Sequence, residues 1–223
     1  MSLNKQKGNM YGFVTHTWNT VKGKCPHNCS YCYMKRFPQP ELHFDENELN
    51  TNLGEGNFIF VGSSCDMFAN SIPKDWILRT IELCDIYSKN QYIFQSKNPK
   101  RFKEFLPYFP KSSVLCTTIE TNREKEYQYL SGGQSFGMRA EEFLYLSEAY
   151  PLMITIEPIM DFDIDDLQYW FELIGDIKQI NIGADSGNNH LPEPPKEKIL
   201  ELISELEKFT VVYQKSNLKR LLK

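Results

Sequence analysis

The strongest constraint on the fold is a regular alternation between short apolar runs with strand character and amphipathic stretches with helical spacing. Such alternation is typical of a parallel sheet with helices packed outside it. The strand-like runs are 11–17, 58–62, 91–96, 113–119, 152–156, 179–184 and 210–214, and the helical stretches are 73–89, 99–105, 140–148, 165–174 and 195–208. Six or seven strand–helix units fit a chain of 223 residues. The sequence therefore predicts one domain over residues 1–223 with the α/β fold of an incomplete (β/α)6-type barrel, a partial TIM barrel. A flat doubly wound sheet is the alternative.

Four of these strands carry polar side chains on the face that points away from the helices. Alternate residues of a strand point to opposite sides of a sheet, so Thr155 and Glu157 oppose Ile154 and Ile156. An ordinary barrel fills its centre with branched apolar side chains. The pattern instead predicts an open lumen that holds polar ligands. The charged residues at the ends of these strands, where active sites of α/β folds lie, are Lys97, Glu120, Glu157 and Asp185.

Three cysteines stand close together after the first predicted strand. Cys25, Cys29 and Cys32 have the spacing C-x3-C-x2-C, which lets three thiolates converge on one inorganic cluster. A [4Fe–4S] cluster with three cysteine ligands keeps one iron open, which suits a reactive cluster better than a simple electron carrier. The alternatives are a zinc site that uses His27 as a fourth ligand and buried structural thiols.

The cysteine motif and four other segments resemble known families. Cys25, Cys29 and Cys32, with the aromatic Tyr31 before the last of them, resemble the signature of radical SAM enzymes. Over nearly the whole chain, the segments 60–68, 94–99, 156–158 and 183–187 are similar to a phage-associated radical-SAM-like family of unknown activity, and more loosely to the spore photoproduct lyase family. The short gap between the first two cysteines departs from the phage-associated family and favours ordinary radical SAM chemistry.

The resemblance implies a cofactor, a reaction and roles for several residues. It implies a [4Fe–4S] cluster that binds S-adenosylmethionine through the open iron, an external electron donor of the flavodoxin or ferredoxin kind, and cleavage to a 5′-deoxyadenosyl radical that abstracts a hydrogen atom from the substrate. Tyr31 is then expected near the adenine. The other expected cofactor contacts are Ser63, Ser64 and Asp66 for the methionine amino group, where related enzymes use Gly-Gly-Glu, and Thr118, Glu120 and Glu157 for the ribose and the remainder.

Three residues are assigned to the substrate side or to the chemistry, and each assignment has a plainer alternative. Lys97 meets an anionic substrate group or moves a proton, unless it is a surface lysine. Asp185 contacts the substrate, unless it caps the turn in Gly183–Asn189. Cys116, like Cys65, supplies a hydrogen atom or holds a substrate radical, unless it is a small buried apolar side chain. For the cofactor residues the alternatives are a helix cap at Ser64 or Asp66 and a salt bridge at Glu157.

The composition of the chain limits the kinds of substrate and partner that it is expected to bind. The formal net charge of −4 argues against a strongly basic nucleic-acid binder, although Lys22, Lys24, Lys35 and Arg36 surround the cysteines. The favoured substrate is a nucleotide or nucleic acid, and a peptide or small metabolite is the rival. The alternative from another class is a non-catalytic iron–sulfur redox or sensing protein.

Segments outside the core are interpreted as follows. No apolar run approaches 18 residues and the N-terminus is polar, so no membrane partner and a cytoplasmic location are expected. Residues 1–9 are interpreted as a disordered or vector-derived tail. The segment Ser131–Ser135 lacks the ending of a phosphate-binding loop and is interpreted as a flexible loop that acts as a lid.

Overall fold

The computed structural model, which describes residues 3–6, 8, 10–123, 125 and 128–223, is built on one large sheet. Its strands in chain order are β1 (Asn4–Lys5), β2 (His16–Trp18), β5 (Phe58–Val61), β6 (Gln91–Ser96), β7 (Ser113–Thr118), β8 (Leu152–Ile156), β9 (Ile177–Ile182) and β10 (Val211–Gln214), while β3 (Val21–Lys22) and β4 (His43–Phe44) pair separately. In the strand order β1-β2-β5-β6-β7-β8-β9-β10, spatial neighbours follow chain order except that β3 and β4, which lie between β2 and β5 in the chain, are left out. All neighbours from β2 to β10 are parallel, and β1 is antiparallel to β2. Within the described ranges no pairing joins β10 to β1, so the sheet is a partial barrel, as predicted.

Within the described residues, four α-helices and several 3-10 helices connect these strands. The α-helices are α1 (Lys74–Ile86), α2 (Phe136–Leu144), α3 (Ile164–Ile174) and α4 (Lys196–Leu206), and the 3-10 helices are Tyr33–Arg36, Glu46–Asn50, Pro99–Phe105 and Ser216–Arg220. The segment 99–105, which was predicted as a helix opened by a proline, is thus a 3-10 helix. Helix α2 begins earlier than predicted because the Ser135 hydroxyl accepts the Met138 amide and caps the helix there.

The main core lies between the sheet and the helices. Ile154 and Ile156 on β8 and Ile180 and Ile182 on β9 are buried in it, as the alternation predicts. Leu202 on α4 is buried in the same cluster. The other face of these strands therefore points into the lumen.

The lumen face, predicted to be polar on four strands, is polar only in its upper half. Below the polar half, Phe60, Ile93, Cys116 and Met153 form a separate apolar cluster with Tyr11. This cluster is the floor of the lumen. The polar residues begin one pleat higher, with Gln95, Thr118, Thr155 and Asn181.

The segment 10–14 lies on this floor instead of forming the start of a strand. The amide of Val14 donates to the Tyr11 carbonyl at 3.1 Å, a turn that delays strand β2 until His16. The Tyr11 ring stacks on Phe60, and its hydroxyl donates to Gln95 Oε1 at 2.8 Å. This segment thus closes the bottom of the open barrel with its own side chains.

We expect Tyr11→Phe to lower the free energy of unfolding by about 0.5–1.5 kcal/mol, because it removes one buried hydrogen bond and leaves the Gln95 carbonyl short of a donor. Urea unfolding gives the difference. Tyr129→Phe, at a position 83% exposed, is the control and leaves stability unchanged. Equal losses in both variants would contradict the assignment of Tyr11 to the floor.

The N-terminus differs from the tail that was predicted. Asn4 and Lys5 form β1 and pair with Thr17 and His16, while residues 1, 2, 7 and 9 lie outside the described residues. In the part of the chain that the structure describes, no helix has the length and apolar character needed to span a membrane.

Candidate functional site

The cysteine loop leaves strand β3 and leads into the 3-10 helix Tyr33–Arg36. Two tight turns shape it: the Asn28 amide donates to the Cys25 carbonyl at 3.1 Å, and the Cys32 amide donates to the Cys29 carbonyl at 3.2 Å. Asn28 has a φ of 44°, the left-handed conformation that asparagine tolerates better than most residues. This backbone fixes the spacing between the three cysteines, all of which are free thiols.

The three thiols differ in surroundings. Cys29 is buried beside Tyr31 and Met160, whereas Cys25 and Cys32 are partly exposed. A hydrogen bond from the Cys65 thiol lowers the pKa of Cys25 to about 6, which favours the thiolate form that binds metals. No three His, Cys, Asp or Glu side chains among the residues that the structure describes are gathered around one point that would suit a single metal ion.

Asp66 joins the cysteine loop to the end of strand β6. Its Oδ2 accepts from His27 Nε2 at 2.7 Å, from the Ser96 hydroxyl at 3.0 Å and from the Lys97 amide at 2.8 Å. Burial opposes charge on both partners, yet the contact with Asp66 holds the pKa of His27 above its usual value, and the contact with His27 holds that of Asp66 below. The Asp66 carboxylate also accepts the Phe68 amide at 3.0 Å. These four contacts favour a structural role of the kind first considered as a cap.

A buried ion network lies at the carboxyl ends of β6 and β7. Glu120 is fully buried; its Oε1 accepts from Lys97 Nζ and, at 3.1 Å, from the Tyr31 hydroxyl, and its Oε2 accepts from Arg139 Nη1 at 3.0 Å. Burial lowers the pKa of Lys97 to about 8. The network ties Tyr31 of the cysteine motif to two strands and to helix α2. Lys97, predicted to face the substrate, thus lies beside the adenine candidate Tyr31.

Glu157 pairs with a lysine that the sequence analysis did not select. The Lys215 ammonium donates to Glu157 Oε2 at 2.6 Å and lies 4.7 Å from the centre of the Tyr11 ring. Gly183 on the next strand passes close to this pair, since a Cβ there would lie 2.8 Å from Glu157 Oε1. The salt bridge named as the alternative for Glu157 is therefore present, within the lumen.

Among the remaining predicted site residues, Ser63, Ser64 and Thr118 form a first group, which lies beside the cysteine loop or the lumen. Ser63 donates to Asn19 Oδ1 at 3.2 Å and the Ser64 amide donates to the same oxygen at 2.9 Å, which holds the loop after β5 against the loop after β2. The Thr118 hydroxyl accepts from Gln95 Nε2 at 3.1 Å within the lumen. These positions border the cysteine loop or the lumen.

Asp185 and Cys116 are placed differently. Asp185 Oδ1 accepts the Gly187 amide at 2.8 Å and the Asn189 side chain at 2.7 Å, so its carboxylate serves the turn that contains it. Cys116 lies in the apolar floor, and burial raises the pKa of its thiol. Both arrangements agree with the plainer alternatives given above, turn capping and apolar packing.

The segment 130–134 contacts the cysteine loop directly. The Ser30 amide donates to the Leu130 carbonyl and the Gly132 amide to the His27 carbonyl, both at 2.7 Å. Ser131, interpreted from sequence as part of a flexible lid, is buried. The segment is thus part of the wall around the cysteines.

Comparison with known proteins shows the fold. No protein-family model and no curated protein matches the sequence. A cysteine-to-alanine mutant of spore photoproduct lyase with dinucleoside spore photoproduct has a TM-score of 0.70 at 13% identity, over 96% of this chain and 81% of the lyase. A further mutant of the lyase, with bound AdoMet and the same dinucleoside, has a TM-score of 0.68 at 12% identity over 95% of this chain and 80% of the lyase.

A second solved structure is SuiB from Streptococcus suis bound to S-adenosylmethionine. Its TM-score is 0.61 at 9% identity over 89% of this chain and 49% of SuiB, so this chain spans about half the length of SuiB. The chain thus has the same partial-barrel α/β fold as spore photoproduct lyase and SuiB.

Proposed function

We propose that this chain is a radical SAM enzyme. The observation that carries the proposal is the position of Cys25, Cys29 and Cys32 on one loop, as free thiols, at the carboxyl edge of a partial barrel with this fold. Three thiolates fit a [4Fe–4S] cluster with one open iron. Cys25, Cys29 and Cys32 would hold this cluster, which would supply the electron for reductive cleavage of S-adenosylmethionine and so allow abstraction of a hydrogen atom from the substrate.

The protein's own residues are proposed to bind and orient the cofactor and to exclude water. Tyr31 is buried at the upper end of the lumen, where its ring offers an apolar surface for the adenine. The Glu157 carboxylate is partly exposed and offers an acceptor for an ammonium or hydroxyl group. Ser63, Ser64 and Thr118 are proposed as further polar contacts, while Asp66 and Glu120 hold the surrounding walls through their buried hydrogen bonds.

The substrate is proposed to be a nucleotide or nucleic acid. Beside the cysteine loop Tyr33 and Phe37 expose 44% and 57% of their surface, and Lys35 and Arg36 lie between them. Exposed aromatic rings interleaved with cations suit stacked bases and phosphates. One fold neighbour has a bound dinucleoside spore photoproduct, which agrees with this choice; the other binds a precursor peptide, which keeps peptides as the rival.

A non-catalytic iron–sulfur redox or sensing protein is the candidate from another class. Such a protein needs no polar chamber beside its cluster. The Glu157–Lys215 pair borders the lumen with the Glu157 carboxylate partly exposed, and this argues for a bound polar ligand.

The decisive experiment is anaerobic reconstitution with iron and sulfide, followed by reduction with dithionite and an assay for 5′-deoxyadenosine. The proposal expects a [4Fe–4S] spectrum and production of 5′-deoxyadenosine from S-adenosylmethionine. A cluster that forms but never cleaves S-adenosylmethionine would favour the redox or sensing protein. Stoichiometric zinc without iron would favour the zinc alternative. The physiological reductant is expected to be a flavodoxin- or ferredoxin-like donor.

We expect Glu157→Gln to weaken the binding of S-adenosylmethionine about ten- to a hundredfold, since one charge-assisted hydrogen bond contributes roughly 1.5–3 kcal/mol. Iron and sulfide content stay unchanged, because the cluster is assigned to Cys25, Cys29 and Cys32, whereas the Glu157 carboxylate pairs with Lys215. Equilibrium binding to the reconstituted protein measures the effect. Glu55→Gln, at an exposed pair with Lys89, is the control. An unaltered affinity in Glu157→Gln removes this residue from the cofactor site.

A further inference from the structure

The side-chain hydroxyl of Ser131 forms a hydrogen bond with a cysteine of the motif. Among the described residues, no other hydroxyl group does so. Its Oγ lies 3.1 Å from Cys29 Sγ. Both residues are buried, and they are 102 positions apart in the chain. The contact is therefore a tertiary one, shielded from water.

The direction of this hydrogen bond follows from the neighbours of the hydroxyl. The Gly133 amide donates to Ser131 Oγ at 3.1 Å. That contact uses a lone pair and leaves the hydroxyl hydrogen available for Cys29. A cysteine that ligates iron is a thiolate and has no proton to give, so in a cluster-bound protein Ser131 is the donor and the sulfur is the acceptor.

The backbone around Ser131 holds the hydroxyl in place. The hydrogen bonds of the Ser30 and Gly132 amides described above flank it on both sides, and the Gln134 amide donates to the Lys97 carbonyl at 3.2 Å. A Cβ at Gly132 would lie 3.1 Å from the His27 carbonyl oxygen, which is a tight contact. The segment thus packs closely against the cysteine loop.

We propose that Ser131 is a positioning residue that sets the reduction potential of the cluster through its hydrogen bond to Cys29. The inference rests on the proposed function. Reduction adds one negative charge, which the ligand sulfurs share. A hydrogen-bond donor to a sulfur stabilises the reduced form more than the oxidised form and raises the potential. Ser131 thereby makes the cluster easier to reduce by an external donor.

The test compares Ser131→Ala and Ser131→Thr with the wild-type protein after anaerobic reconstitution. Iron and sulfide are quantified, and a redox titration followed by electron paramagnetic resonance gives the midpoint potential. Loss of one hydrogen bond corresponds to a several-fold to roughly tenfold change in an equilibrium constant. We therefore expect a more negative potential in Ser131→Ala, by up to about 59 mV for a tenfold change in a one-electron couple. Ser131→Thr keeps the hydroxyl and stays close to the wild type.

Ser135→Ala is the matched control, since Ser135 lies directly after this segment and caps helix α2. We expect this variant to leave the potential unchanged. A normal cluster with an unchanged potential in Ser131→Ala overturns this inference and leaves the proposed function intact. Loss of iron from Ser131→Ala overturns it too, because the hydroxyl would then serve cluster binding. A wild-type protein that takes up no iron overturns the proposed function and the inference together.

Discussion

A variant in which Cys25, Cys29 and Cys32 are all replaced by alanine is expected to bind no iron or acid-labile sulfide and to form no 5′-deoxyadenosine. Thiolates are the ligands that an iron–sulfur cluster requires, and the loop offers no replacement at these positions. Metal analysis after anaerobic reconstitution measures the first effect, and chromatography of the reaction mixture measures the second.

Cys84→Ala is the matched control for this experiment. Cys84 lies on α1, is fully buried in the main core and is remote in sequence from the cysteine loop, so the variant is expected to keep its iron. The single variant Cys65→Ala distinguishes the contribution of the three motif cysteines from that of a neighbouring thiol. Cys65 hydrogen-bonds Cys25 but does not belong to the motif. Full iron and sulfide in the triple variant would contradict the assignment of the cluster to this loop.

The fold could be predicted from sequence where local pattern decides it. Strands β6 and β8 begin and end where the sequence predicted, because each is a short apolar run with turn-forming residues directly beside it. Segment 10–14 could not be predicted, because its environment is the lumen floor formed by β5, β6, β7 and β8. The segment has a local strand pattern, but the tertiary packing of Tyr11 determines its conformation instead.

The residues of the candidate site also divide into those that local sequence indicates and those that depend on tertiary contacts. The cysteine spacing is local, so the motif and Tyr31 could be proposed as site residues from the sequence alone. Ser131, Arg139 and Lys215 were missed, because each acts across a long stretch of chain: Lys215 meets Glu157 over 58 residues. One signal was available for Lys215, which directly follows the last strand, as Glu157 follows β8. The sequence gives no such signal for Arg139, since an arginine on an amphipathic helix ordinarily faces solvent.

Glu120→Ala is expected to lower the free energy of unfolding by about 3–5 kcal/mol, because it removes the carboxylate shared by two buried cations. Lys97 Nζ and Arg139 Nη1 both donate to Glu120, and Arg139 is fully buried. Lys97, with a pKa lowered to about 8 by burial, is able to lose its proton and relieve part of the cost. Arg139 keeps its charge at any ordinary pH, so most of the penalty falls on it.

A double-mutant cycle tests this explanation. If Arg139 carries the penalty, Glu120→Ala combined with Arg139→Met loses less stability than the sum of the two single variants. Urea unfolding of the cluster-free protein supplies all four free energies. Glu104→Ala is the control, because Glu104 is half exposed, lies 3.8 Å from Arg101 and contributes at most about 0.5 kcal/mol. A Glu120→Ala protein that unfolds like the wild type, or strictly additive losses in the cycle, would show that the buried network does not hold this end of the barrel.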